Sequence, residues 1–201
     1  MINVLIINLY DNDLYFDTMA KNLAYYNIPF EQTTHRLFNN INFPKYSHFI
    51  LTGSDFFILE NQIVLSKEQI LTLMSYKKPI LAQCYGFHLL ASQLVSSKVI
   101  KTFRKNEYGY FKLKSPLVNP NQYYFINHFN YVTHLDKNWD VISTRHMRDL
   151  DGKNKQFILD AKLKEFDVLC LQYHPEMNKN TYDFIYQWIQ NSIYKKSSNT
   201  L

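Results

Sequence analysis

Residues 79–90, Pro79-Ile80-Leu81-Ala82-Gln83-Cys84-Tyr85-Gly86-Phe87-His88-Leu89-Leu90, constrain the fold more than any other segment. An apolar run breaks at a polar kink and resumes as an apolar helix start, which predicts a strand turning directly into a helix. Such a turn needs small residues on both sides of its apex, and Ala82 and Gly86 occupy those places. Cys84 is then expected at the strand's end with its sulfur at a helix N-terminus, where free N–H groups and the helix dipole favour thiolate over thiol. The bland alternative is a buried structural cysteine. Cys170, inside the apolar run 168–171, has no such setting and is expected in the core.

Far downstream stands Leu171-Gln172-Tyr173-His174-Pro175-Glu176. A histidine that exchanges a proton with a thiol must itself be held by an acceptor, and Glu176 follows two residues later on a turn stiffened by Pro175. Cys84, His174 and Glu176 form a candidate triad. Donors for an oxyanion are expected from the backbone of Gly53, in the loop after a strand, and of Tyr85, next to the nucleophile.

Around these segments the chain alternates. Val4 to Leu9 reads as a buried strand ending in Tyr10-Asp11-Asn12, and Leu14, Met19, Leu23 and Tyr26 recur at helical spacing. Tyr46 to Leu51 reads as a strand, Ser66 to Tyr76 as a helix capped by Ser66, Ile80-Leu81 as the elbow strand and Phe87 to Leu94 as its helix. From Val99 to Leu171 the texture changes to short runs joined by turns such as Asn119-Pro120 and Asp151-Gly152. Tyr182 to Ile193 returns as an amphipathic helix before the polar Ser197-Ser198-Asn199-Thr200. The expected fold is α/β: a doubly wound, mostly parallel sheet with flanking helices and a short-stranded, β-rich second half. One domain over 1–194 and a polar tail over 195–201 are expected.

The residues also carry a resemblance. Ala82 to His88 and Gln172 to Glu176 are similar to the two signatures of class I glutamine amidotransferases, Cys-His-Glu enzymes that release ammonia from glutamine. Leu51-Thr52-Gly53-Ser54-Asp55 resembles that family's oxyanion loop. Asn106-Glu107-Tyr108-Gly109 and Ile126-Asn127-His128-Phe129-Asn130 resemble two segments of the GMP synthetase amidotransferase domain. The resemblance implies a flavodoxin-like sheet and hydrolysis of L-glutamine through a cysteine thioester. It also implies ammonia delivery to a separate ATP-dependent synthetase subunit, of GMP-synthesis type and so in purine biosynthesis. It places Ser54, His88 and His128 at the substrate. His88 stands where the family has glutamine, and Phe129 and Asn130 stand where it has Gly and Asp. Two other readings stay open: a stand-alone γ-glutamyl hydrolase acting on another γ-glutamyl substrate, and a non-catalytic relative.

Composition narrows the partners. The net charge is +5, but the lysines are scattered, with tight pairs only at Lys77-Lys78 and Lys195-Lys196, so a nucleic-acid surface is not expected. Apolar runs too short for a membrane span, no basic leader and two cysteines in 201 residues point to a soluble cytoplasmic protein with reduced thiols. His35, His48, His134 and His146 show no ligand spacing, and the four glycines form no phosphate-binding loop. No metal and no cofactor is expected.

Overall fold

The computed structural model describes residues 2–11, 16–148, 150 and 152–198. Its strands are β1 (Val4–Asn8), β2 (Phe30–Thr34), β3 (His48–Leu51), β4 (Ile80–Gln83), β5 (Ile100–Phe111), β6 (Tyr124–Val132), β7 (Trp139–Arg148), β8 (Asn154–Leu163) and β9 (Val168–Leu171). The helices are α1 (Phe16–Tyr25), α2 (Lys67–Ser75), α3 (Tyr85–Leu94) and α4 (Asp183–Ser198). Seven strands form one sheet in the order β2-β1-β3-β4-β9-β8-β7, parallel from β2 to β9 and antiparallel at β8 and β7. β5 and β6 pair separately as an antiparallel hairpin.

Strand alternation explains the layers. In β1, Leu5 and Ile7 join a core cluster with Ile70 and Leu73 of α2 and Leu89 and Leu90 of α3. Val4 and Ile6 point the other way, to a second cluster with Met19 and Leu23 of α1 and Ile185 and Ile189 of α4. Apolar residues on both faces require helices on both faces, which is the doubly wound arrangement. Ser66 caps α2 with a full capping box completed by Gln69.

Several expectations need correction. β2 was not foreseen, because Phe-Glu-Gln-Thr-Thr lies half-buried at the sheet edge and lacks an apolar run. The second half is β-rich, but β5 to β8 are 9 to 12 residues long, not short. β9 belongs to the parallel core beside β4. α4 continues past Ile193 to Ser198, into the segment read as tail. Asn12, Leu14, Asp151, Asn199 and Thr200 lie outside the described residues. Among the described residues no helix is long and apolar enough to cross a membrane.

Candidate active site

The carboxyl ends of the parallel strands bring the singled-out segments together, where open α/β sheets bind ligands. β4 ends at Gln83 and α3 begins at Tyr85, so Cys84 is the whole connection. It has φ 48° and ψ −107°, a conformation that costs a non-glycine residue roughly 1–3 kcal/mol. Its neighbours hold it there: Cys84 N donates to Leu171 O at 2.7 Å and Gly86 N to Thr52 O at 3.2 Å. Gly86 is dictated by that approach, since a Cβ would stand 2.9 Å from Leu51 O and 3.0 Å from Thr52 O. Cys84 and Cys170 are both free and buried; burial pushes the Cys170 thiol well up, as suits a core residue.

His174 leaves β9's end and is fixed by its N–H to Phe125 O at 2.9 Å. Its side chain shares a small cavity with Cys84. Its Nδ1 donates to Glu176 Oε1 at 2.8 Å. Burial opposes charge on the ring, but Glu176 and Cys84 outweigh it and push the pKa up to about 10. The raised pKa favours the imidazolium form of His174 near the sulfur. The sequence reading missed the next member, Gln83, whose Nε2 donates to Glu176 Oε2 at 2.8 Å. Its Oε1 is buried with no partner among the described residues. Each Glu176 carboxylate oxygen thus accepts one hydrogen bond.

Gly53 lies against the same ring: a Cβ there would meet His174 Cε1 at 3.1 Å and the Tyr10 hydroxyl at 2.9 Å. Among the described residues neither the Gly53 nor the Tyr85 N–H has an acceptor. The loop is held by Thr52, whose hydroxyl donates to Gly53 O at 2.9 Å and accepts from Leu9 N at 3.0 Å. Ser54 needs no positive φ. Its hydroxyl donates to Leu9 O at 2.8 Å and accepts from Phe56 N at 3.1 Å, so this side chain holds the loop. Tyr10 had no sequence signal beyond ending a strand.

On the far side of Cys84 opens a cleft of about 260 Å³, bordered by Asp55, Phe57, His88, Asn127, His128 and Phe129 among others. His88 is buried, and its Nε2 meets Gln172 Oε1 at 2.8 Å. Burial holds the ring neutral, pulling its pKa down to about 3. His128 also borders the cleft, with Nδ1 2.7 Å from Asn130 O and Nε2 3.2 Å from Glu107 Oε2. The β5–β6 register sets Glu107 opposite His128, joining the two motif segments. Arg145 of β7 adds Nε and Nη2 to Glu107 Oε1, each at 2.9 Å, and ties the hairpin to the main sheet. Burial resists ionisation of Glu107, but His128 and Arg145 hold its pKa below the usual range. Among the described residues no group of three His, Cys, Asp or Glu side chains could hold a metal ion.

An α/β sheet with an elbow cysteine, a histidine and a glutamate at its carboxyl edge has the fold of the class I glutamine amidotransferases. Solved structures carry that comparison. A Thermoplasma acidophilum protein, described as one subunit of a GMP synthase, superposes with a TM-score of 0.75 at 12% identity, covering 100% of this chain and 98% of that one. A Thermotoga maritima glutamine amidotransferase gives 0.58 at 16% identity, covering 98% of this chain and 85% of that one. No family model and no curated protein matches the sequence.

Proposed function

We propose that the protein is a glutamine amidotransferase-type hydrolase that converts L-glutamine to glutamate and ammonia through a Cys84 thioester. The observation that carries this reading is the convergence of Cys84, His174 and Glu176 on one cavity, with His174 hydrogen-bonded to Glu176 at 2.8 Å, beside a cleft at the strand ends. The Cys84 thiolate attacks the side-chain carboxamide carbon, and the Gly53 and Tyr85 N–H groups receive the oxyanion. The His174 imidazolium gives its proton to the departing nitrogen, and ammonia leaves. His174, now neutral, takes a proton from water as the oxygen attacks the thioester; the C–S bond breaks and the electron pair returns to sulfur. Glu176 keeps the ring oriented throughout, and Gln83 keeps Glu176 in place. His128 and His88 shape the acyl side of the cleft.

Ammonia made this way is used by a partner. The resemblance, and the naming of one structural neighbour as part of a GMP synthase, favour a separate ATP-dependent synthetase of GMP-synthesis type. A second substrate reading, a γ-glutamyl amide other than glutamine, is favoured by Phe129, which faces Phe57 at 6.2 Å between ring centroids in the cleft wall. The test is glutamate release from glutamine and from γ-glutamyl peptides by purified protein and by Cys84→Ala. Turnover of glutamine that Cys84→Ala abolishes is expected; turnover of γ-glutamyl peptides alone would favour the hydrolase, and none of either the non-catalytic reading.

A further inference from the structure

The sulfur of Cys84 has a second polar neighbour that the mechanism above does not use. Gln172, fully buried at the end of β9, places its Nε2 3.8 Å from Cys84 Sγ and its Oε1 2.8 Å from His88 Nε2. The two ends of an amide differ in hydrogen-bonding character, so its neighbours decide which way round it sits. A neutral imidazole has one donor and one acceptor nitrogen. With the proton on His88 Nε2, that nitrogen can only donate, the Gln172 oxygen is drawn to it, and the amide NH2 is left facing the sulfur. The other close polar atom, the Asn127 carbonyl oxygen, lies 3.6 Å from Sγ and can only accept. It suits a thiol and opposes a thiolate. An amide NH2 does the reverse.

We propose that Gln172 is a further catalytic residue, donating an N–H to the Cys84 thiolate, and that His88 is a positioning residue that keeps the amide the right way round. This rests on the reading of Cys84 as nucleophile and gives His88 a task other than contact with substrate. The titratable groups that line a cavity with Cys84 are Tyr10, Asp55, Tyr85, His88, His128, His174 and Glu176. Of these, His88 hydrogen-bonds the Gln172 amide.

The experiment follows alkylation of Cys84 by iodoacetamide across pH in the full chain, with thermal unfolding confirming that each variant folds. Gln172→Met keeps bulk and removes the N–H. The midpoint of its alkylation profile is expected to rise by about one pH unit, the effect of losing one hydrogen bond to a charged group. His88→Leu, which frees the amide to turn, is expected to give a smaller rise in the same direction. In the double variant His88→Leu adds nothing, because its effect passes through Gln172. Should Gln172→Met not fold, Gln172→Leu also lacks the N–H without adding a charge and is likewise expected to raise the midpoint. A profile for the folded Gln172 variant that superimposes on wild type overturns the proposal. So does a His88→Leu shift that is undiminished in the Gln172→Met background. No glutamine enters this measurement, so a wild type that fails to hydrolyse glutamine overturns the proposed activity and leaves this test standing.

Discussion

On one side of the Cys84 sulfur stands His174 and on the other, across the cleft, His88. Both rings are nearly inaccessible, at 6% and 3% exposure. Burial works against the charged form of each. They nevertheless end far apart, near 10 and near 3, because of what each ring touches. His174 has a carboxylate at 2.8 Å and His88 an amide oxygen at the same distance. A full negative charge in a low-dielectric setting outweighs desolvation; an amide dipole does not. The same residue type is thereby a proton carrier on one side and a neutral fixture on the other.

Removing either reacting partner on the charged side gives the largest expected effect. Cys84→Ala abolishes glutamate release, and mass spectrometry finds no acyl-enzyme. His174→Ala loses general acid–base chemistry, worth ~10²–10⁴-fold in turnover. Activity in the His174 variant equal to that of an otherwise identical His88 variant would erase the distinction between the two sides.

Glu176→Gln is the most direct attack on the comparison, because it gives His174 the kind of partner His88 has. Turnover is expected to fall, but by less than in His174→Ala, since the imidazole remains. Stability responds with a definite sign. A histidine raised in the folded state stabilises it fully below its unfolded value near 6.5, and that contribution is lost as pH rises towards about 10. The wild-type melting temperature should therefore drop between neutrality and pH 10 by more than that of Glu176→Gln. Parallel melting curves for the two proteins would mean that the carboxylate does not set the charge of His174.

A smaller effect is expected one contact further out. Gln83→Met removes the donor to Glu176 Oε2, and with it the orientation of the carboxylate. Turnover should fall by roughly tenfold, about one hydrogen bond to a charged group, while KM is unchanged. Stability should change little, because the substitution also removes a buried acceptor without a partner. A rise in KM with unchanged turnover would place Gln83 at the substrate instead.

The two sides were not equally legible in the sequence. Cys84, His174 and Glu176 announce themselves locally: small residues flank one, and a proline sits between the others. The elbow was equally visible, since strand and helix adjoin within 79–90. Gln83 and Gln172 had no such mark. A glutamine carries no spacing rule, and each meets its partner only through the pairing of β4 with β9, across 93 and 88 residues of chain. Arg145, and the pairing of Glu107 within its motif segment, were hidden for a related reason. β5 mixes charged with apolar residues, and the register that sets Glu107 against His128 follows a bulge between Thr102 and Glu107. Local pattern located the groups that react, but the groups that hold them became visible only with the sheet order.

The smallest expected effect is an absence of change, and it tests the neutral side on its own. If burial, reinforced by the nearby His128 and His174 and only partly offset by the Gln172 oxygen, keeps His88 neutral, its ring should keep one tautomer, protonated on Nε2, from about pH 5 to 8, the range in which an ordinary histidine titrates. Ring nitrogen chemical shifts from NMR report both the charge and the tautomer, with His88→Gln used to assign the signal. His88 is expected to show flat, neutral-tautomer shifts across that range, while His174 shows flat, protonated ones in the same samples. An inflection near the ordinary histidine value at His88 would mean that a charge missing from its present surroundings reaches it. Protonation on Nδ1 instead of Nε2 would turn the Gln172 amide around and leave the sulfur facing an oxygen. Either result removes the contrast between the two rings at its weaker end, without touching the chemistry of His174.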